Sequence, residues 1–241
     1  MQTAIEFSYL GANVTLFARD KIKLNFALEK LNNSTKQNHK TLVGDFNFPK
    51  NIKNVISNDL KDSNYNILIN NSGGPKSGKI IDADISEFIE TFNRHLICNH
   101  ILVQSLLPHM IKTNYGRIIN IISTSVKQPI IGLGVSNTIR SAVAAWAKTL
   151  SLEICNDGIT VNNILPGFTN TGRLDEIIKT KALQSGLDIK EVSDNLKKEV
   201  PLNRFADSKE IAKLILYIAS KDSAYINGAS IPIDGGRLTS F

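Results

Sequence analysis

Six short runs rich in Ile, Leu and Val recur along the chain, separated by longer stretches with helical spacing of apolar residues. They are 13–18 (NVTLFA), 41–44 (TLVG), 66–70 (NILIN), 117–122 (RIINII), 159–164 (ITVNNI) and 229–233 (ASIPI). Runs this short and this apolar suit strands buried on both faces, which is the habit of parallel sheets. The intervening stretches at 20–32, 50–61, 85–113, 136–155 and 207–220 carry the amphipathic pattern of covering helices. Strand and helix in strict alternation give βαβ units, so an α/β fold with a doubly wound parallel sheet is expected. A chain of 241 residues supplies one such core, and residues 1–241 are read as a single domain. The polar helical stretch 172–200 has no strand of its own and reads as a flap inserted for substrate.

Composition narrows the function classes. With 42% apolar and 21% charged residues the chain has an ordinary globular balance. No apolar run reaches membrane-spanning length, and the N-terminus lacks a signal-peptide layout. The two cysteines, Cys98 and Cys155, imply no disulfide framework, which points to the cytoplasm. The formal net charge is +6, but the lysines are scattered, as in the loop around 30–40. Without a basic cluster or a zinc or RNA-binding signature, neither a nucleic-acid nor a membrane partner is expected, nor a metal.

Four motifs stand in order: Asn70-Asn71-Ser72-Gly73, Gly116 to Ser123 (GRIINIIS), Val161 to Thr171 (VNNILPGFTNT) and Asp234-Gly235-Gly236. Together they resemble the short-chain dehydrogenase/reductases over essentially the whole chain. The resemblance implies a Rossmann-like sheet of strand order 3-2-1-4-5-6-7 and a nicotinamide cofactor at the carboxyl ends of the strands. It places cofactor contacts at Asn71, Ser72, Gly73, Pro166, Gly167 and Thr171, and an adenine contact at Asp45. At the end of the second family strand stands Arg19, suited to a 2′-phosphate, so NADP is expected over NAD, although Asp20 follows at once. Homodimers or homotetramers built through 85–113, 136–155 and the C-terminal strand are also implied.

Two features depart from that pattern. Residues 2–10 read as the back half of a helix stopped at Gly11, and no glycine-rich pyrophosphate loop occurs in the chain. The first strand of the family sheet is therefore absent, and Met1 is expected to be an internal methionine of a longer protein. The second departure is chemical. Ser123 matches the family serine, but Ser136 stands where the family has its tyrosine, Arg140 where it has its lysine, and His95 where it has an asparagine. None of the five tyrosines (Tyr9, Tyr65, Tyr115, Tyr217, Tyr225) lies on that helix.

Serine is far harder to ionise than tyrosine, and arginine keeps its charge. Only His95 titrates near neutrality, so the residues point to a His-centred proton relay assisted by Ser123 and Ser136. Lys127, in the loop after Ser123, is a lesser candidate for the acid, and Arg140 is suited to holding cofactor oxygens. Read without function, Ser136 is the N-cap of its helix and His95 a helix residue bonded to a carbonyl. The Ser-Asn-x-x-Arg pattern, preceded by VKQPI at 126–130, resembles a divergent branch labelled β-ketoacyl-acyl-carrier-protein-reductase-like. The expected function is NADP-linked oxidation or reduction of a small carbonyl or alcohol, a 3-oxoacyl substrate being the narrower form. The alternative is a catalytically silent nucleotide-binding or scaffold protein.

Overall fold

A computed structural model describes residues 1–239. Helix α1 (Gln2–Tyr9) is followed by β1 (Thr15–Ala18), α2 (Lys21–Leu28), β2 (Lys40–Val43), α3 (Pro49–Asp59) and β3 (Ile67–Asn70). Then come α4 (Ile85–Phe92), α5 (Cys98–Lys112), β4 (Gly116–Ile121), α6 (Gly134–Glu153) and β5 (Ile159–Pro166). Helices α7 (Gly172–Ser185), α8 (Ile189–Lys198) and α9 (Ser208–Ala219) precede the last strand, β6 (Ser230–Ile233). All six sequence-derived strands are present.

Every strand pair is parallel, and the strands form two groups, β1-β2 and β3-β4-β5-β6. The break between the groups falls where the family's first strand belongs, and β1 and β3 each keep one unpaired edge among the described residues. Side chains bridge the break: Tyr65 Oη donates to Asp59 Oδ2 (2.6 Å) and accepts from the Thr15 hydroxyl (3.1 Å). Phe17 and Leu42 from the first group also join the core around Ile118 and Val161 of the second. Gly11, in the left-handed region at φ 80°, follows the last turn of α1, a conformation glycine adopts without penalty.

Alternation along each strand explains the layers. Ile118, Ile159 and Val161 point toward α3, α5 and α6, where Ile52, Leu102, Leu106, Met110 and Ala147 lie. Ile119 and Ile164 point to the opposite face, covered by α9 through Ile211, Ile215 and Ile218 and by Phe7 of α1. Both faces are thus apolar and both are covered, as a doubly wound sheet requires. Helices α7 and α8 make a smaller apolar cluster of Leu174, Ile178, Ala182, Val192 and Leu196 against Phe205. The stretch 172–200 is therefore a helical pair with its own packing.

A polar ladder crosses the second group near its carboxyl edge. Asn70 Nδ2 donates to Asn120 Oδ1 (2.9 Å), Asn120 Nδ2 to Asn163 Oδ1 (2.9 Å) and Asn163 Nδ2 to Ser230 Oγ (3.1 Å). The pairings Asn70 with Asn120 and Asn120 with Asn163 follow the strand register. It ends at Asn70, whose buried Oδ1 has no hydrogen-bond partner among the described residues. Asn120 is fully buried, so Asn120→Ala strips partners from two further buried amides. Its unfolding free energy is expected to fall by about 2–4 kcal/mol, read from urea midpoints; a loss below about 1 kcal/mol, the worth of one ordinary hydrogen bond, means the ladder is not cooperative.

Candidate active site

Because all strands run parallel, their carboxyl ends gather at one edge. That edge carries Arg19 after β1, Asp45 after β2, Asn71 to Gly73 after β3, Ser123 just beyond β4 and Gly167 after β5. Ser123 Oγ accepts from Ser125 N (3.1 Å) at the start of a short 3₁₀ turn, Thr124–Val126. Lys127 is exposed just past that turn.

The expected helix 85–113 is not continuous. Between α4 and α5 lies a π-helical turn, Asn93–Ile97, and His95 sits on it, a distortion often found at functional positions. His95 is 4% exposed. One ring nitrogen, Nε2, lies 3.1 Å from Gly73 O, and Nδ1 lies 2.9 Å from Ser72 Oγ. A carbonyl only accepts, so Nε2 carries the proton and Nδ1 accepts from the Ser72 hydroxyl. Burial, then the charge of Arg140, pushes the imidazole down to about 3. His95 is neutral at physiological pH and tied to the loop after β3. Both nitrogens are engaged by Ser72 and Gly73, so the ring holds the loop after β3 in place.

Ser136 is not the N-cap of its helix. The helix begins at Gly134 with Leu133 as N-cap, and Ser136 lies within its first turn, 8% exposed. Its Oγ accepts from Arg140 Nε (3.2 Å), one turn along the same face. Arg140 reaches the end of β4 as well, where Nη1 donates to Ile121 O (3.0 Å) and Ile122 O (2.9 Å). Burial, followed by the neighbouring charge of Arg173, lowers the guanidinium to about 10. The result is a hydroxyl whose oxygen rests on a cation, and that cation is fixed to the carbonyl just before Ser123.

Two arginines that the sequence reading passed over complete the surroundings. Arg94 Nη1 donates to Gly73 O (3.2 Å), and its Nε and Nη2 donate to Asn47 Oδ1 (3.0 and 2.7 Å). Arg173, in the first turn of α7, donates from Nη2 to Pro75 O (2.6 Å) and pins the 172–200 helical pair to the loop after β3. The position just after Val161–Thr171 was the available signal for Arg173; the π turn left none for Arg94.

The cofactor candidates fare differently. A Cβ on Gly73 would meet no atom within 4 Å, so open space lies beside that loop. Arg19 holds a largely exposed guanidinium 4.0 Å from Asp45 Oδ2. Asp20 is the N-cap of α2, accepting from Lys23 N (3.0 Å). Gly167 has a packing reason for being glycine, since a Cβ there would sit 2.8 Å from Asp234 Cα. Its amide donates to Ile233 O (3.0 Å). Thr171 is exposed before α7, its hydroxyl donating to Thr169 O (3.2 Å). These residues fit a dinucleotide along the carboxyl edge.

Comparison with known proteins places the chain in a family. A family described as enoyl-(acyl carrier protein) reductase matches residues 1–237. The 3-oxoacyl-[acyl-carrier-protein] reductase of Haemophilus influenzae is 30% identical over 77% of this chain and 71% of its own. That of Rickettsia prowazekii is 27% identical over 95% of this chain and 88% of its own. The structure of L-sorbose reductase from Gluconobacter frateurii, complexed with NADPH and L-sorbose, superposes with a TM-score of 0.92. It is 26% identical and covers 100% of this chain and 92% of the reductase. With the strand order, the motifs and these likenesses in agreement, the chain belongs to the short-chain dehydrogenase/reductase family of NAD(P)-dependent oxidoreductases.

Proposed function

We propose that the protein is an atypical NADP-linked reductase or dehydrogenase of a small carbonyl or alcohol, in which the Ser136–Arg140 pair takes the place of tyrosine and lysine. The observation that carries this reading is the Arg140 Nε to Ser136 Oγ bond (3.2 Å) beside the end of β4. A hydroxyl held against a cation donates to a carbonyl oxygen and favours the negative charge that grows there as the carbonyl is reduced. Ser123 supplies the second hydroxyl, and Arg140 spreads its charge over the same region. His95 acts as a positioning residue that fixes Ser72 and Gly73. The proton that completes the alcohol comes from solvent, since no group here has the acidity of a tyrosine.

The cofactor supplies the hydride. Arg19, Asp45, Asn71, Ser72, Gly73, Pro166, Gly167, Thr171 and Arg140 are the residues that would hold it, and the exposed guanidinium of Arg19 beside a capping Asp20 supports NADP. The pair α7 and α8 serves as the substrate flap. Exposed Ile85, Ile89 and Phe92 on α4 form an apolar stripe that supports a homodimer or homotetramer. The free thiols Cys98 and Cys155 suit a cytoplasmic home; among the described residues no helix is long and apolar enough to cross a membrane.

A second reading, a catalytically silent nucleotide-binding scaffold, is favoured by the neutral, fully bonded His95 on a face without tyrosine. Calorimetric titration with NADPH and NADH, followed by a carbonyl panel, separates the two. The proposal expects NADPH to bind at least tenfold tighter than NADH, the effect of about one charge-assisted bond, and at least one carbonyl to be reduced. Binding without turnover across the panel hands the protein to the second reading.

A further inference from the structure

The two guanidiniums at the mouth of the site have an electrostatic problem that the protein itself does not solve. Arg140 Nη2 and Arg173 Nε each lie 3.8 Å from the point a Cβ would occupy on Gly74, so they are no farther apart than the sum of those distances. Among the described residues no carboxylate pairs with Arg140; Arg173 meets only Glu176, at 3.2 Å on the outer surface. The other partners of both arginines are neutral: Ser136, Ile121 O, Ile122 O and Pro75 O. Arg94 stands on the far side of the same loop, already satisfied by Asn47 and Gly73 O.

Like charges this close, partly withdrawn from water, repel unless an anion sits between them. Gly74 lies beside both groups, and a Cβ there would only just touch the two guanidiniums, at 3.8 Å each. Arg140 is bonded to Ser136, and Arg173 stands on the first helix of the 172–200 pair, so the two join the proposed reacting hydroxyl to the proposed flap. We infer that Arg140 and Arg173 together receive an anionic group of the substrate, so that the protein acts on oxo acids in preference to neutral ketones or aldehydes. Arg173, carried on α7 and already held to Pro75 O, would tie the helical pair to the bound acid, while Arg140 faces both the acid and the reacting oxygen. This rests on the reading of the site as an oxidoreductase and adds the substrate class.

The test uses 2-oxobutyrate and its neutral amide, 2-oxobutanamide, titrated calorimetrically into the protein with and without saturating NADPH. The acid is expected to bind roughly 10- to 100-fold tighter than the amide, the effect of one or two charge-assisted bonds. Arg173→Gln is expected to erase most of that preference, and Arg173→Lys to keep part of it. Equal binding of acid and amide, or a preference unchanged in Arg173→Gln, overturns the inference. So does acid that competes with NADPH, since the arginines then serve a cofactor phosphate. Failure of NADPH to bind at all sinks the oxidoreductase reading instead, while an acid preference in the protein alone still upholds the anion site.

Discussion

Replacing Arg140 with methionine is expected to lower kcat/KM for carbonyl reduction by about 10²- to 10³-fold, the usual cost of losing one preorganised charge at a developing oxyanion. The same side chain donates to Ser136 Oγ and to the carbonyls of Ile121 and Ile122. Methionine leaves those acceptors without a donor, costing about 1–3 kcal/mol of stability for each one that stays buried. Arg140→Lys separates the two effects. Lysine keeps the charge but lacks the planar fork that reaches serine and strand end at once. Its stability is expected to fall nearly as far as that of the methionine variant, with a smaller loss of rate. Urea midpoints and steady-state kinetics on both variants check this, and a methionine variant with unimpaired turnover would remove Arg140 from the chemistry.

Acid is the second large lever. His95 has a native value pushed down to about 3, against an ordinary 6.5 in the unfolded chain. Between those values the unfolded state binds a proton that the folded state refuses, so stability is complete above the ordinary value and declines as pH falls. Each unit below 6.5 costs about 1.4 kcal/mol, or roughly 2 kcal/mol by pH 5. His95→Gln removes this component, and its unfolding free energy should drop between pH 7.5 and pH 5 by about that much less than the wild type's. Parallel declines in the two proteins would mean that His95 is solvated or charged in the native state. The same variant probes its chemical role. A positioning histidine leaves the pH dependence of kcat in place while raising KM, whereas a relay would take a pH limb away with it.

The strands were legible because Ile118 and Ile119, neighbours in sequence, are buried on opposite faces, and such residues need no polar alternation. The edge that carries the site followed from parallel connectivity alone. Three things were not legible, each for a physical reason. The π turn at Asn93–Ile97 has no glycine or proline to announce it; it places His95 under the loop after β3, a tertiary cause. Ser136 has the composition of a cap, but Gly134 and Val135 extend the helix before it, and its oxygen is claimed by Arg140. Arg173 lies 98 residues from its partner Pro75, and one sequence carries no sign of such a pairing. The asparagine ladder was recoverable in principle, since Asn70, Asn120 and Asn163 sit near the ends of three adjacent strands.

The departure at α6 decides between an enzyme and a silent member of its family. A cation-backed serine polarises a carbonyl without offering an ionisable proton, so the chemistry should be slow yet real, with its charge stabilisation vested in Arg140. The most direct measurement follows deuterium from C4-deuterated NADPH into the alcohol product by mass spectrometry, using a carbonyl that binds the protein. The account predicts label in the product of the wild type and of His95→Gln, and a deep loss of label in Arg140→Met. Cofactor bound at full occupancy with no deuterium transferred by the wild type would contradict it.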